Sequence, residues 1–358
     1  MTKVIAEAGV NHNGSIDMAF ELVDIAIAAR ADFVKFQTFK AEWLVNDKAR
    51  LAGYQKKTVK NANSQLEMLK KLELSYRDFK VLADYCLANG IEFLSSAFDR
   101  ESLKFLVEET GIKCLKIASG EITNGPLLLE HAQTGRDIIL STGMCTTSEI
   151  QEALGVIAFG YMNRAGRPSD MHSFSDSFES SKGQALLKEK VCLLHCTTEY
   201  PAPLDEVNLR AMTHLEEVFG LAIGYSDHTQ GITVPIAAAA RGARYVEKHF
   251  TSSRELDGPD HFASLEPNEL KAMVSAIREV DLALGSAEKG PTKSEQANLE
   301  AARKSIIAVR DIKAGQIIEK EDLSIMRPGS GLSPMLYWQL IGQISKHTYR
   351  AGDFVIEQ

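Results

Sequence analysis

Short β-rich runs alternate with helical patterns along most of this chain, and that alternation restricts the fold to parallel βα units. About eight such runs stand out, at 4–9, 33–39, 93–98, 114–120, 138–143, 192–198, 221–228 and 245–251. Eight parallel strands can close on themselves, so the expected main body is an α/β, (β/α)8 TIM barrel. The intervening segments repeat at the helical period. Ile150, Ala153, Leu154, Ile157 and Ala158 share one face behind a capping box made by Thr146 and Glu149. A closing helix is expected from about Pro267 to Leu284.

Two insertions interrupt the pattern. Residues 43–63 follow the second strand and are expected to rise on the catalytic face and shape the site. Residues 160–190, polar and serine-rich, follow a helix and are expected to hang from the opposite face. Residues 1–285 then form the barrel, 286–304 a polar linker, and 305–358 a small β-rich domain. Within this tail, residues 312–318 echo residues 349–355, as if two strand–turn–strand pieces were paired about a pseudo-symmetric axis. A core that small is expected to dock on something.

A formal charge of -8 leaves no basic footprint for nucleic acid, so an anionic substrate must be met by local positive groups. No apolar stretch reaches membrane-spanning length, and the first residues run into a strand without an apolar signal core, which places the chain in the cytoplasm with no membrane partner. The five cysteines, Cys86, Cys114, Cys145, Cys192 and Cys196, form no CxxC pair and read as reduced core thiols.

In such a barrel, catalytic groups gather at the C-terminal ends of the strands. His228 and His249 close the last two runs. Neutral imidazoles on adjacent strands supply only two ligands, leaving positions on a Mn²⁺ or Mg²⁺ ion for water and a carbonyl oxygen. A closed structural zinc site needs more. Lys35 and Lys116 each sit in an apolar strand, where a lone ammonium is costly to bury. Ser119-Gly120 and Ser141-Thr142-Gly143 add hydroxyls and glycine-opened N–H groups, a set suited to a phosphate plus a carboxylate.

Other strand-end residues carry two readings. Glu7 is an acid or base candidate or the neutralising partner of Lys35, and Glu121 holds sugar hydroxyls or neutralises Lys116. Glu247 shares a strand face with His249. His195 reads as structural rather than proton-carrying. The turn Asp257-Gly258-Pro259-Asp260 is expected to cross the mouth and offer a carboxylate to hydroxyls.

The motifs Ala6-Glu7-Ala8-Gly9-Val10-Asn11-His12-Asn13-Gly14, Val34-Lys35-Phe36-Gln37-Thr38, Lys116-Ile117-Ala118-Ser119-Gly120-Glu121 and Leu140-Ser141-Thr142-Gly143-Met144 are followed by His195-Cys196-Thr197-Thr198-Glu199-Tyr200-Pro201, Ser226-Asp227-His228-Thr229 and Glu247-Lys248-His249-Phe250-Thr251. In this order they closely resemble the sialic acid (N-acetylneuraminate) synthase family, including its N,N'-diacetyllegionaminate synthase branch. The resemblance covers nearly the whole chain, and the tail looks like that family's antifreeze-like (SAF) domain.

The resemblance implies a metal-dependent condensation of phosphoenolpyruvate with an N-acetylated amino hexose, giving a nine-carbon 2-keto acid and phosphate. By the same match His228 and His249 would be metal ligands. Lys35, Lys116, Ser119, Ser141 and Ser226 would bind phosphoenolpyruvate, Glu7 would transfer a proton, and Gln37, Glu121, Tyr200 and Asp260 would face the sugar. The family's tail crosses to a partner barrel, so a homodimer is implied, with Arg327 reaching the neighbour's sugar pocket. Thr198 stands at a substrate-binding position where makers of N-acetylneuraminate from N-acetylmannosamine often carry Asn. The Thr-Thr-Glu-Tyr-Pro form looks more like the branch making legionaminate-type sugars from a 2,4-diacetamido-6-deoxy hexose. Two rival readings are a Schiff-base pyruvate aldolase using Lys35 or Lys116, and a non-catalytic carbohydrate-binding barrel.

Overall fold

In the computed structural model, which describes residues 1–46, 48–51, 53 and 64–357, eight parallel strands close into a barrel in sequence order. They are β1 Lys3–Gly9, β2 Phe33–Thr38, β3 Glu92–Ala97, β4 Cys114–Ile117, β5 Asp137–Ser141, β6 Val191–His195, β7 Ala222–Asp227 and β8 Tyr245–His249. β8 returns to pair with β1, which closes the ring. The expected TIM barrel is thus present, with helices between successive strands.

Alternation along the strands sorts their side chains into two sets. Val4, Ala6, Ala8, Val34, Ile138, Leu140 and Leu193 meet the surrounding helices in the larger core. Ile5, Phe33, Leu94, Ile139 and Leu194 belong to a second apolar cluster that plugs the barrel. Gly224 keeps this plug tight, because a Cβ there would meet Leu194 Cδ2 at 2.5 Å. Two residues further along the same strands come Glu7, Lys35, Ser96, Ser141 and Cys196, all lining one pocket. The plug therefore gives way to a polar mouth within one inward step.

The other end is tied by hydrogen bonds. Asp32 accepts from Val4 N at 2.7 Å and from Arg278 Nη2 at 2.5 Å. Arg278 Nη1 also donates to Thr2 O at 2.6 Å. Arg278 belongs to the closing helix Pro267–Leu284, so that helix clamps the first strand.

The insertion of residues 160–190 is largely helical. Gly160 to Met162 complete the helix Thr147–Met162, and two helices follow, His172–Glu179 and Ser181–Lys190. Phe174 packs edge-on against Phe159 at 5.5 Å, so the segment lies along a barrel helix, and none of its residues lines the pocket at the strand ends. Its serines serve local backbone bonding; Ser180 caps the third of these helices through Gly183 N at 3.0 Å. Of the first insertion, residues 47, 52 and 54–63 lie outside the described residues, and with them most of the expectation that it shapes the site. The helix Gln65–Leu72 that follows sends Met68, Leu69 and Leu72 to the pocket wall.

The chain divides into two units, Met1–Gly285 and Ser286–Gln358. The stretch expected as a polar linker carries a helix, Lys293–Ala302, started by a Thr292–Glu295 capping box. In the second unit β9 Ser305–Ala308 pairs antiparallel with β10 Leu323–Met326 over a core that includes Ile306, Ile312, Ile318, Tyr349 and Val355. The expected internal echo exists at the level of the backbone. Gly315 and Gly352 both adopt positive φ, 87° and 97°, in equivalent turns. Gly315 N donates to Ser345 O and Gly352 N to Ala308 O. The residue before each glycine is held by a side chain from the other half, Ala314 N donating to Thr348 Oγ1 and Ala351 N to Asp311 Oδ1.

Candidate active site

The polar mouth encloses a pocket of about 250 Å³ lined by residues at the ends of the barrel strands and by the helix Gln65–Leu72. At its base four charges interlock. Lys35 Nζ lies 2.9 Å from Glu7 Oε2 and 3.4 Å from Glu247 Oε2, and Lys116 Nζ lies 3.6 Å from Glu247 Oε1. Lys116 also donates to Ser141 Oγ at 2.7 Å, and Ser226 Oγ donates to Glu247 at 2.9 Å. All four ionisable side chains are at most 5% exposed.

Burial pushes the Glu7 carboxyl up, against the pull of Lys35, so this group can hold a proton near neutrality. Burial would raise Glu247 too, but the Lys116 and Lys35 ammonium groups hold it well below the usual carboxylate range. Burial works against the charge on Lys35, yet Glu247 and Glu7 more than offset it and raise its pKa. Lys116 shifts the other way, because burial outweighs its carboxylate neighbours.

The histidines stand above this lattice, with ring centroids 5.7 Å apart. Burial depresses His228 to about 4 and His249 well below its ordinary value, so both are neutral imidazoles. His228 Nδ1 lies 2.6 Å from Thr197 O; as the donor in that bond it leaves Nε2 with a free lone pair on the side of Ser226. His249 Nδ1 is buried without a hydrogen-bond partner, its nearest carboxylate oxygen being Asp260 Oδ2 at 3.8 Å. Among the described residues no group of three or more His, Cys, Asp or Glu side chains could hold a metal ion. Two neutral nitrogens, one of them orphaned, fit a divalent cation that takes its remaining ligands from water and substrate, and do not fit a closed site.

Other nominated residues gather around this centre. Gln37 Nε2 donates to Glu7 Oε1 at 3.2 Å, and the Tyr200 ring lies 4.2 Å from that of His228. Ser119 Oγ accepts from Gly143 N at 2.9 Å. Ser96 Oγ and Thr198 Oγ1 are buried in the same pocket with no partner, like His249 Nδ1. Asp260 reaches the mouth beside Pro259, its carboxyl pushed up by burial to about 6.

One nomination needs revision. Glu121 does not line the pocket and does not neutralise Lys116; β4 ends at Ile117, and a 3₁₀ turn, Ser119–Glu121, turns its carboxylate to Asn124 Nδ2 at 2.7 Å. Cys196 is free and buried as expected and also lines the pocket, 3.2 Å from Ser119 Oγ, whereas Cys114 and Cys145 are only partly buried. Arg327 belongs to the second unit, exposed and directly after β10. His195 is structural in its contacts, with Nε2 2.7 Å from Val207 O.

The sequence reading gave no role to Glu247, which bridges both lysines. Its strand alternation with His249 was the available signal. Ser96 stands among the polar strand ends but carries no assigned role, and the apolar wall of Val10, Met68, Leu72 and Phe98 leaves no signal at the strand ends.

Residues 22–289 match the model of the NeuB family, and residues 303–355 match the SAF domain. The chain is 46% identical, over 99% of both sequences, to the N,N'-diacetyllegionaminic acid synthase of Campylobacter jejuni. It is 31% identical to the human N-acetylneuraminate-9-phosphate synthase, over 99% of this chain and 91% of that one. The crystal structure of an N-acetylneuraminic acid synthetase from Leptospira borgpetersenii, in complex with citrate, superposes with a TM-score of 0.68 at 32% identity, covering 84% of this chain and 90% of that one.

Proposed function

The chain belongs to the NeuB family and is a sialic-acid-type synthase, and we propose that it condenses phosphoenolpyruvate with a 2,4-diacetamido-6-deoxy hexose to give a legionaminate-type 2-keto acid and phosphate. The observation that carries this reading is the buried lattice of Lys35, Lys116, Glu7 and Glu247 beneath two neutral histidines. N-acetylmannosamine is the competing sugar. The higher identity to a diacetyllegionaminic acid synthase than to a neuraminate-9-phosphate synthase, together with Thr198-Glu199, favours the diacetamido substrate.

Lys35 and Lys116 hold the carboxylate and phosphate of phosphoenolpyruvate, with Ser119, Ser141 and Thr198 donating hydroxyl hydrogen bonds and Ser226 lining the same subsite. C3 of the enol ester attacks the aldehyde carbon of the open-chain sugar, water adds at C2, and phosphate leaves with C–O cleavage. Glu7 carries the mobile proton on its carboxyl, giving it to the alkoxide oxygen left at the former aldehyde carbon and receiving one from the water added at C2. His228 and His249 would hold Mn²⁺ or Mg²⁺, which when bound would supply Lewis-acid polarisation of the aldehyde oxygen. Gln37, Tyr200 and Asp260 orient the sugar, and the plug beneath the pocket keeps bulk water out. Lys35, kept protonated by two carboxylates, is a poor Schiff-base nucleophile.

The chain acts in the cytoplasm as a homodimer whose SAF unit brings Arg327 to the partner's sugar. No helix among the described residues is long and apolar enough to cross a membrane. The test is phosphate release by metal-stripped protein supplied with phosphoenolpyruvate, Mn²⁺ and either sugar. Metal-dependent release with the diacetamido sugar alone is expected; preference for N-acetylmannosamine would reassign the substrate, and release with neither would overturn the reading.

A further inference from the structure

Asp227 and Lys248 are register partners across β7 and β8, and each is followed directly by one of the two histidines at the mouth. Ser226, His228, Glu247 and His249 line the pocket. Alternation turns Asp227 and Lys248 to the other side of the sheet. There Lys248 Nζ lies 2.5 Å from Asp227 Oδ2, and both side chains are 0% exposed. Lys248 also donates to Thr229 O. Asp227 Oδ1 accepts from Thr229 N at 3.2 Å, and the Thr229 hydroxyl lies 3.0 Å from both Asp227 oxygens. The turn Asp227-His228-Thr229 is therefore closed by the aspartate and tied to β8 by the lysine, with His228 at its centre.

A buried ion pair is costly to desolvate, and apolar residues of similar volume often stabilise a fold as well or better. Net stability is therefore a weak reason for burying this one. We propose that the Asp227–Lys248 pair is a positioning device for the metal ligands: it fixes the turn that carries His228 against the strand end that carries His249, so that both imidazoles address one divalent cation. The inference rests on the reading of these histidines as ligands. Contacts behind metal ligands typically govern affinity by roughly 10- to 100-fold.

The test uses the full-length protein, stripped of metal and titrated with Mn²⁺, with free Mn²⁺ followed by electron paramagnetic resonance and thermal unfolding recorded in parallel. The double variant Asp227→Asn/Lys248→Met removes both charges and keeps the volume. It is expected to melt near the wild-type temperature while binding Mn²⁺ about tenfold more weakly or worse. Asp32→Asn, at the far end of the barrel, is expected to lower the melting temperature and leave Mn²⁺ affinity alone. Unchanged affinity in the double variant overturns the positioning role, as does an equal loss in Asp32→Asn. If the double variant does not fold, Thr229→Val decides: several-fold weaker binding supports the inference and unchanged binding overturns it. A wild-type protein that binds no Mn²⁺, or a His249→Ala variant that binds it equally well, overturns the ligand reading instead.

Discussion

Lys35 Nζ lies 2.9 Å from Glu7 Oε2 at the base of the pocket, and neither side chain retains more than 5% of its exposure. Lys35→Met removes the cation nearest Glu7, which then stays protonated, and leaves Glu247 with Lys116 as its remaining cation. We expect a loss of about 3 kcal/mol in stability and a large rise in the KM for phosphoenolpyruvate. Urea unfolding and steady-state kinetics check the two; a variant with wild-type KM would remove Lys35 from substrate binding.

Gly143 sits where a Cβ would collide with Thr198 Oγ1 and approach Cys196 Sγ at 2.9 Å and Ser119 Oγ at 3.0 Å. Gly143→Ala should push these hydroxyls off the pocket, raising the KM for phosphoenolpyruvate about tenfold or more with little change in melting temperature. An unaltered KM would show that neither hydroxyl touches the substrate.

Asp32 titrates low. Burial opposes this, but the bonds from Val4 N, Arg278 and Lys3 outweigh it and hold its carboxyl below the ordinary 3.8. The native state therefore binds that proton less tightly than the unfolded chain does. Its stabilising effect is fully present above pH 3.8 and is lost as the pH falls through the lower native value. Asp32→Asn is expected to cost roughly 2 kcal/mol at pH 7, with the gap to wild type narrowing below pH 3.8. Denaturant titrations at the two pH values test it.

Arg327→Ala should raise the sugar KM and spare that of phosphoenolpyruvate. An unchanged sugar KM would remove the C-terminal unit from the reaction.

The period of two in the strands made most of the mouth legible. Glu7, Lys35, Gln37, Lys116, Ser119, Ser141, Ser226, His228 and His249 were nominated from strand ends and do share one pocket. Glu121 escaped because β4 stops early and a 3₁₀ turn breaks the alternation that would have aimed it inward. Glu247 lay on the legible face, but the cations that give it meaning come from β2 and β4, and sequence spacing does not pair charges across a closed sheet. The helices within residues 160–190 were hidden by serine-rich composition, since side chains that cap helices look like those that fill loops.

The matched turns of the C-terminal unit tie each half of that small domain to the other: the glycine turn of one half bonds the backbone of its twin, and a side chain from each half caps the opposite turn. Part of each half's backbone donors is held only by the other, so the two should melt together rather than in sequence, and clipping the chain before Ser345 ought to loosen the first half's glycine turn.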